Sequence, residues 1–170
     1  MKEIKATEIT DNFINLISND WMLITAGDEA KYNMMTASWG GVGELWGKHV
    51  ATIYVRPERY TDKFIAQTKC FTLSFFNSNM KKTLGVMGRE SGRNFDKMAY
   101  GGLTAEILPS GQVAFKEARL IIECKVLYSD ELHAEKFFDK ESLEKWYNEK
   151  PGGSLHNVYI AEIVGAWMND

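Results

Sequence analysis

Three short stretches of this 170-residue chain combine residue types that can hold an anion and a flat polar ligand. In Arg56-Pro57-Glu58-Arg59-Tyr60-Thr61, a β-branched and aromatic run ends in arginine and a proline follows. Pro57 suits the first turn of a helix. The free N–H groups of a helix start face whatever lies above them, and the helix dipole favours an anion there. Arg56 and Arg59 flank that spot, a guanidinium fork matches phosphate oxygens, and Thr61 adds a hydroxyl. The pattern reads equally well as a phosphate cradle and as a solvated charged turn in which Glu58 pairs with an arginine.

The second stretch is Thr36-Ala37-Ser38-Trp39-Gly40-Gly41. A small, hydroxylated run at a strand end offers O–H and N–H donors and lets a planar ligand approach the backbone. Trp39 can wall a ring. On spacing alone, a plain strand end with a core tryptophan is the more frequent outcome. The third stretch, Ser91-Gly92-Arg93 through Asp96-Lys97, is a polar loop with two cations that can close over a phosphate or a nicotinamide nucleotide; most such loops are simply solvated.

Two further places carry polar groups. In Phe71 to Phe76, one strand face shows Phe71, Leu73 and Phe75, and the other Thr72, Ser74 and Phe76. The polar face can hydrogen-bond a heteroaromatic ring, although a half-exposed strand is the commoner case. His156 opens the final apolar run beside Asn157 and Tyr159, where it can orient a ligand or move a proton; a lone histidine is more often structural.

Several chemistries lack their motifs. There is no G-x-S-x-G, H-E-x-x-H, Walker lysine motif or G-x-G-x-x-G. Cys70 and Cys124 lie far apart in apolar runs, read as packed thiols, and provide no zinc spacing. The net charge of −3 shows no basic stripe for nucleic acid. No N-terminal apolar segment suggests secretion, and no apolar run is long enough to span a bilayer, so a cytoplasmic protein is expected.

The elements that must position these residues follow from periodicity. Strands are expected at Trp21–Asp28, Tyr32–Gly41 (closing on Gly40-Gly41), His49–Arg56, Cys70–Phe76, Gln112–Phe115, Ala118–Tyr128 and His156–Trp167. Helices are expected at Glu58–Thr68, Asn77–Met87 and Phe137–Asn148, the last stopped by Pro151-Gly152-Gly153. Six or seven strands with short helices in the crossovers point to a mainly β, antiparallel barrel in one domain over residues 1–170.

Taken in order, WMLITAG, NMMTASWGG, VRPERYT, FTLSFF and SGRNFDK resemble the flavin reductase-like family, in particular its flavoredoxin branch. The match runs over roughly Trp21 to Leu103, with a weaker echo at HNVYIAEI, where Ala161 stands at a position that relatives often fill with glycine. The resemblance implies an FMN-binding split β-barrel, usually a homodimer. It places Met35, Thr36, Ala37, Ser38 and Trp39 along the flavin ring and ribityl chain, with Ser74 and Phe75 close by. It places Arg56, Pro57, Arg59, Tyr60 and Thr61 at the phosphate, helped by Ser91, Gly92, Arg93 and Lys97.

Hydride transfer from NADH or NADPH to a flavin needs positioning more than side-chain chemistry. No covalent catalytic residue is therefore expected, with His156 at most an accessory, and no metal. Three functions fit: an NAD(P)H-dependent flavin oxidoreductase, an electron carrier that keeps its FMN and meets a protein redox partner, or a non-redox barrel whose Trp39, Trp46, Phe71 and Phe75 take another planar ligand.

Overall fold

In a computed structural model, residues 1–147 and 154–169 are described. The strands are β1 (Lys2–Ile4), β2 (Met22–Gly27), β3 (Tyr32–Ala37), β4 (Gly40–Leu45), β5 (Lys48–Val55), β6 (Cys70–Phe75), β7 (Ala105–Ile107), β8 (Val113–Phe115), β9 (Leu120–Glu131) and β10 (Asn157–Met168). The α-helices are α1 (Phe13–Asn15), α2 (Tyr60–Thr68), α3 (Lys81–Arg89), α4 (Lys97–Gly101) and α5 (Lys140–Tyr147).

The main sheet runs β3-β2-β6-β9-β10-β5-β4, with β1 added to β10, and all its pairings are antiparallel. Its two outer strands, β3 and β4, are consecutive in the chain and joined only through Ser38 and Trp39. Three Cα–Cα steps reach about 11 Å at most. Seven flat strands would hold their edges about 29 Å apart. The sheet must therefore curl until its edges meet, leaving a split at Ser38-Trp39. Register shifts at Ile160/Ala161 and Ile163/Gly165 bend β10, which pairs with β5 along its first half and with β1 at its end.

One core fills the barrel. Ile24, Ala51, Ile53, Phe71, Leu73, Phe75, Ile122 and Tyr159 point into it, and α2 closes it with Phe64 and Ile65. A second core lies outside, where Leu23, Phe76 and Ile121 are covered by Leu84 and Met87 of α3 and by Phe115 of β8. Both faces of β6 are thus buried, and the face with Thr72 and Ser74 reaches neither solvent nor an open cleft.

The structure corrects several expected elements. Gly40 and Gly41 do not close a strand; they open β4. Gly40 has φ +156°, and a Cβ there would stand 2.7 Å from the Thr52 carbonyl oxygen on β5. This close approach of backbones requires glycine. β4 and β5 form a hairpin with Trp46 at φ 55° and Gly47 at φ 69°, the left-handed pair of a type I′ turn. Strands β1, β4 and β7 were not expected, which raises the total to ten among the described residues. Pro57 does not enter a helix. It occupies the second position of a turn in which the Arg59 N–H donates to the Arg56 carbonyl at 2.9 Å, the place proline's fixed φ favours. α2 then begins at Tyr60 with Arg59 as its N-cap. α3 starts only at Lys81, after a 3₁₀ turn at Ser78–Met80. Before α5, Ala134–Lys136 form another 3₁₀ turn. Asn148 and the expected stop at Pro151-Gly152-Gly153 lie outside the described residues.

Candidate functional site

A cleft of about 180 Å³ opens between the start of α2, β3 and the segment that follows α3. Asn33 and Met35 come from β3, Glu58 to Thr61 from the turn and first residues of α2, Arg89 and Glu90 from the end of α3, and Ser91, Gly92, Arg93 and Lys97 from the loop beyond. Of the residues expected at a phosphate, Arg59, Tyr60, Thr61, Ser91, Gly92, Arg93 and Lys97 are brought together here.

Charge is unbalanced in this cleft: four cations line it against two carboxylates. Two of the cations, the buried Lys97 and the half-buried Arg59, are held by carbonyl groups. Lys97 donates from Nζ to the Met34 carbonyl at 2.7 Å and to the Met87 carbonyl at 2.8 Å. Arg59 donates from Nη2 to the Gly88 carbonyl at 2.6 Å. Among the described residues neither makes an ion pair. Burial pushes the Lys97 ammonium down to about 8, with the Arg59 charge adding to the effect. Burial likewise lowers Arg59. A buried cation without a carboxylate is costly, and an anion in the cleft relieves that cost.

The backbone adds to this. The Arg59 side chain offers α2 no cap, so the first N–H groups of α2 are available to a ligand oxygen. Thr61 Oγ1 accepts from Asn33 Nδ2 at 2.8 Å, which aligns its hydroxyl. Arg93 lies across the mouth, donating from Nη1 to the Glu58 carbonyl at 3.0 Å with its guanidinium 4.8 Å from the Tyr60 ring centre. Gly92 passes directly against the Asn33 side chain, in space a Cβ would fill. A side chain at this position would displace the Asn33 amide, which holds Thr61.

From Met35 the strand leads to the split. Thr36 donates from Oγ1 to the Leu84 carbonyl at 2.6 Å, so its hydroxyl serves to dock α3. Trp39, 36% exposed, lies with its ring 5.1 Å from both the His156 and Trp146 ring centres. His156 Nδ1 shares a hydrogen bond of 2.8 Å with the Tyr147 hydroxyl. Burial, with help from Arg56, pushes the His156 imidazole down to about 4, so it is neutral at pH 7.

Pro57, expected at the phosphate, is exposed in the turn and does not line the cleft, and three further expected ligand residues stand elsewhere. Arg56 turns from the cleft and donates to the Trp146 carbonyl at 2.8 Å and the Ser154 carbonyl at 3.2 Å. Ser74 and Phe75 are fully buried: the hairpin of β7 and β8 covers the outer face of β6 that carries Ser74, and Phe75 points into the barrel core. Asn33, Arg89, Trp146 and Tyr147 join the arrangement without having been expected. A polar Asn33 within an apolar run was the one available signal; the others depend on helix packing.

The fold and cleft define a class: a split antiparallel β-barrel with a cationic pocket beside a strand end of small residues. The sequence matches the model of the flavin reductase like domain over residues 15–170, and the chain belongs to that family. Among solved structures it is similar to flavoredoxin from Methanosarcina acetivorans, with a TM-score of 0.70 at 20% identity over 100% of this chain and 77% of that one. An FMN-binding protein from Thermus thermophilus with bound p-hydroxybenzaldehyde gives 0.68 at 18% identity, covering 100% and 83%. A Streptomyces globisporus NADH:FAD oxidoreductase in complex with NAD and FAD fragments gives 0.62 at 14% identity, covering 88% and 74%. At these identities the likeness is one of fold. No curated protein matches the sequence. Among the described residues no helix is long and apolar enough to cross a membrane.

Proposed function

We propose that this chain binds FMN and passes electrons from NADH or NADPH to the flavin. One observation carries the reading: among the described residues the buried Lys97 and the half-buried Arg59 make no ion pair, and both line a cleft at the start of α2. A phosphate monoester supplies the missing anion. Arg59, Thr61, Lys97 and the N–H groups of Tyr60 and Thr61 hold it, while Ser91, Gly92 and Arg93 close over it. Met35 to Trp39 lead away from that cleft and receive the ribityl chain and ring. Thr36 contributes its backbone, since its hydroxyl is engaged.

A bound flavin supplies the redox chemistry, and the chain's residues position it and keep water from one face. His156 serves as an uncharged wall and hydrogen-bond partner, since burial keeps its imidazole neutral at neutral pH. The whole chain acts as one such unit. A cytoplasmic homodimer is part of the same reading. It is supported by exposed apolar side chains, among them Trp46, Tyr128 and a fully exposed Phe138.

The carrier reading, with tightly held FMN and a protein partner, is the second. It is favoured by the fold's likeness to a flavoredoxin. The deciding experiment is the absorbance spectrum of the purified protein before and after anaerobic NADH or NADPH. Flavin bands that bleach support the oxidoreductase. Bands that persist with either nucleotide favour the carrier. A protein that is colourless and takes up no added FMN refutes both.

A further inference from the structure

Arg56 lies one step beyond the last β5–β10 pair, Val55 with Asn157, and so stands across from His156. Its guanidinium spans two strangers in sequence: Nη2 reaches the Trp146 carbonyl at the C-terminal turn of α5, and Nη1 reaches the Ser154 carbonyl ahead of β10. It also sits 5.1 Å from the centre of the Tyr147 ring. A guanidinium donates readily to such carbonyls, and a cation is favoured toward the C-terminal end of a helix.

α5 has little else to hold it, because none of its residues is buried. Its last turn is fixed by a closed circuit of contacts. Arg56 holds the Trp146 carbonyl, Tyr147 bonds His156 at 2.8 Å, His156 packs on Trp39, and Trp39 meets Trp146 edge to face at 85°. Trp39 is the residue at the split, where the ring end of a flavin is placed under the reading above.

We propose that Arg56 is a positioning residue for the ring end of the site and not a phosphate ligand. It clasps the C-terminus of α5 and so fixes Trp146 against Trp39 as one wall of the ring-binding recess. This rests on the flavin reading only for the identity of the ring; the clasp itself is a property of the protein alone. The fork is essential, since only a planar guanidinium reaches both carbonyls while lying on Tyr147.

The test uses the full chain in four forms: wild type, Arg56→Ala, Arg56→Lys and Trp146→Phe. Two indoles in edge-to-face contact give an exciton-coupled circular dichroism band that needs no ligand. Trp146→Phe identifies the band by abolishing it. The clasp predicts that Arg56→Ala loses the band and Arg56→Lys loses a large part of it, with the β-sheet signal retained. It also predicts that Arg56→Ala weakens FMN and riboflavin by the same factor, about tenfold. An undiminished band in Arg56→Lys overturns the clasp, and that form keeps the test alive if Arg56→Ala does not fold. A loss confined to FMN, with riboflavin unaffected, assigns Arg56 to the phosphate and also overturns it. Wild-type protein that binds neither flavin refutes the proposed function, while the dichroism still decides the clasp.

Discussion

Arg59 and Gly88 are 29 residues apart, yet the Arg59 guanidinium donates to the Gly88 carbonyl at 2.6 Å. This contact joins the N-cap of α2 to the last turn of α3 and aims a half-buried charge into the cleft between them. It uses one terminal nitrogen and leaves the rest of the guanidinium for a ligand. The anion site is thus built by two helices that the chain does not place side by side.

Arg59→Ala is expected to weaken FMN by about 2 kcal/mol, roughly thirtyfold, the scale of one charge-assisted contact in a partly buried site. Riboflavin, which has no phosphate, should lose little. Calorimetric titration with both ligands checks this, and equal losses for the two would remove Arg59 from the phosphate.

Lys97 gives the site a pH dependence of known sign. Its ammonium is pushed down to about 8, and a bound phosphate favours the protonated form. FMN affinity should hold steady just below pH 8 and fall by up to about tenfold per unit as pH rises beyond it. Riboflavin binding should not follow. The difference between the two ligands should vanish in Lys97→Met, measured by fluorescence titration from pH 7 to pH 10, about two units past the midpoint.

His156 sets a second dependence, on stability. Its folded pKa of about 4 lies below the ordinary histidine value. Between those values the unfolded chain binds the proton and the folded one does not. Stability from this group is therefore complete above about pH 6.5 and falls as pH drops toward 4. Allowing for solvent at the ring edge, the loss is about 2 kcal/mol. Urea unfolding at pH 7 and pH 4.5 should show a smaller decrease in His156→Phe than in wild type (pH values chosen about the two pKa values).

Gly40 and Gly41 separate two meanings of glycine. An alanine at 40 would set its Cβ 2.7 Å from the Thr52 carbonyl oxygen, whereas one at 41 meets nothing within 4 Å. Gly40→Ala should cost about 2 kcal/mol and lower Tm by roughly 4–8 °C. Gly41→Ala should leave Tm within about 1 °C. Thermal melts of the two variants side by side are the measurement.

Much of this was legible in the residues. Alternating or continuous apolar runs at Met22–Gly27, Cys70–Phe75 and Leu120–Glu131 mark strands whatever lies around them, because side chains on a strand must alternate. The polar clusters at Arg59 to Thr61 and Ser91 to Lys97 carried their chemistry in their types. The family resemblance drew them together, and the structure supplies the contacts. What the residues alone did not determine was which face each element would show. Ser74 sits on a strand face that reads as polar and open, but a short hairpin with no strong signal of its own covers it. Pro57 and the two glycines at the split are punctuation whose meaning depends on the partner strand: Gly40 is demanded by the Thr52 carbonyl of β5, not by its neighbours in sequence. Arg56 and Arg59 show the division most clearly. They are identical in type and three residues apart, and the sequence treats them alike. Packing separates them, since the turn at Pro57 sends one toward the carbonyl end of α5 and the other into the cleft beside α3. A side chain's chemistry is local and can be read from its type, whereas the groups it meets are set by how distant elements pack.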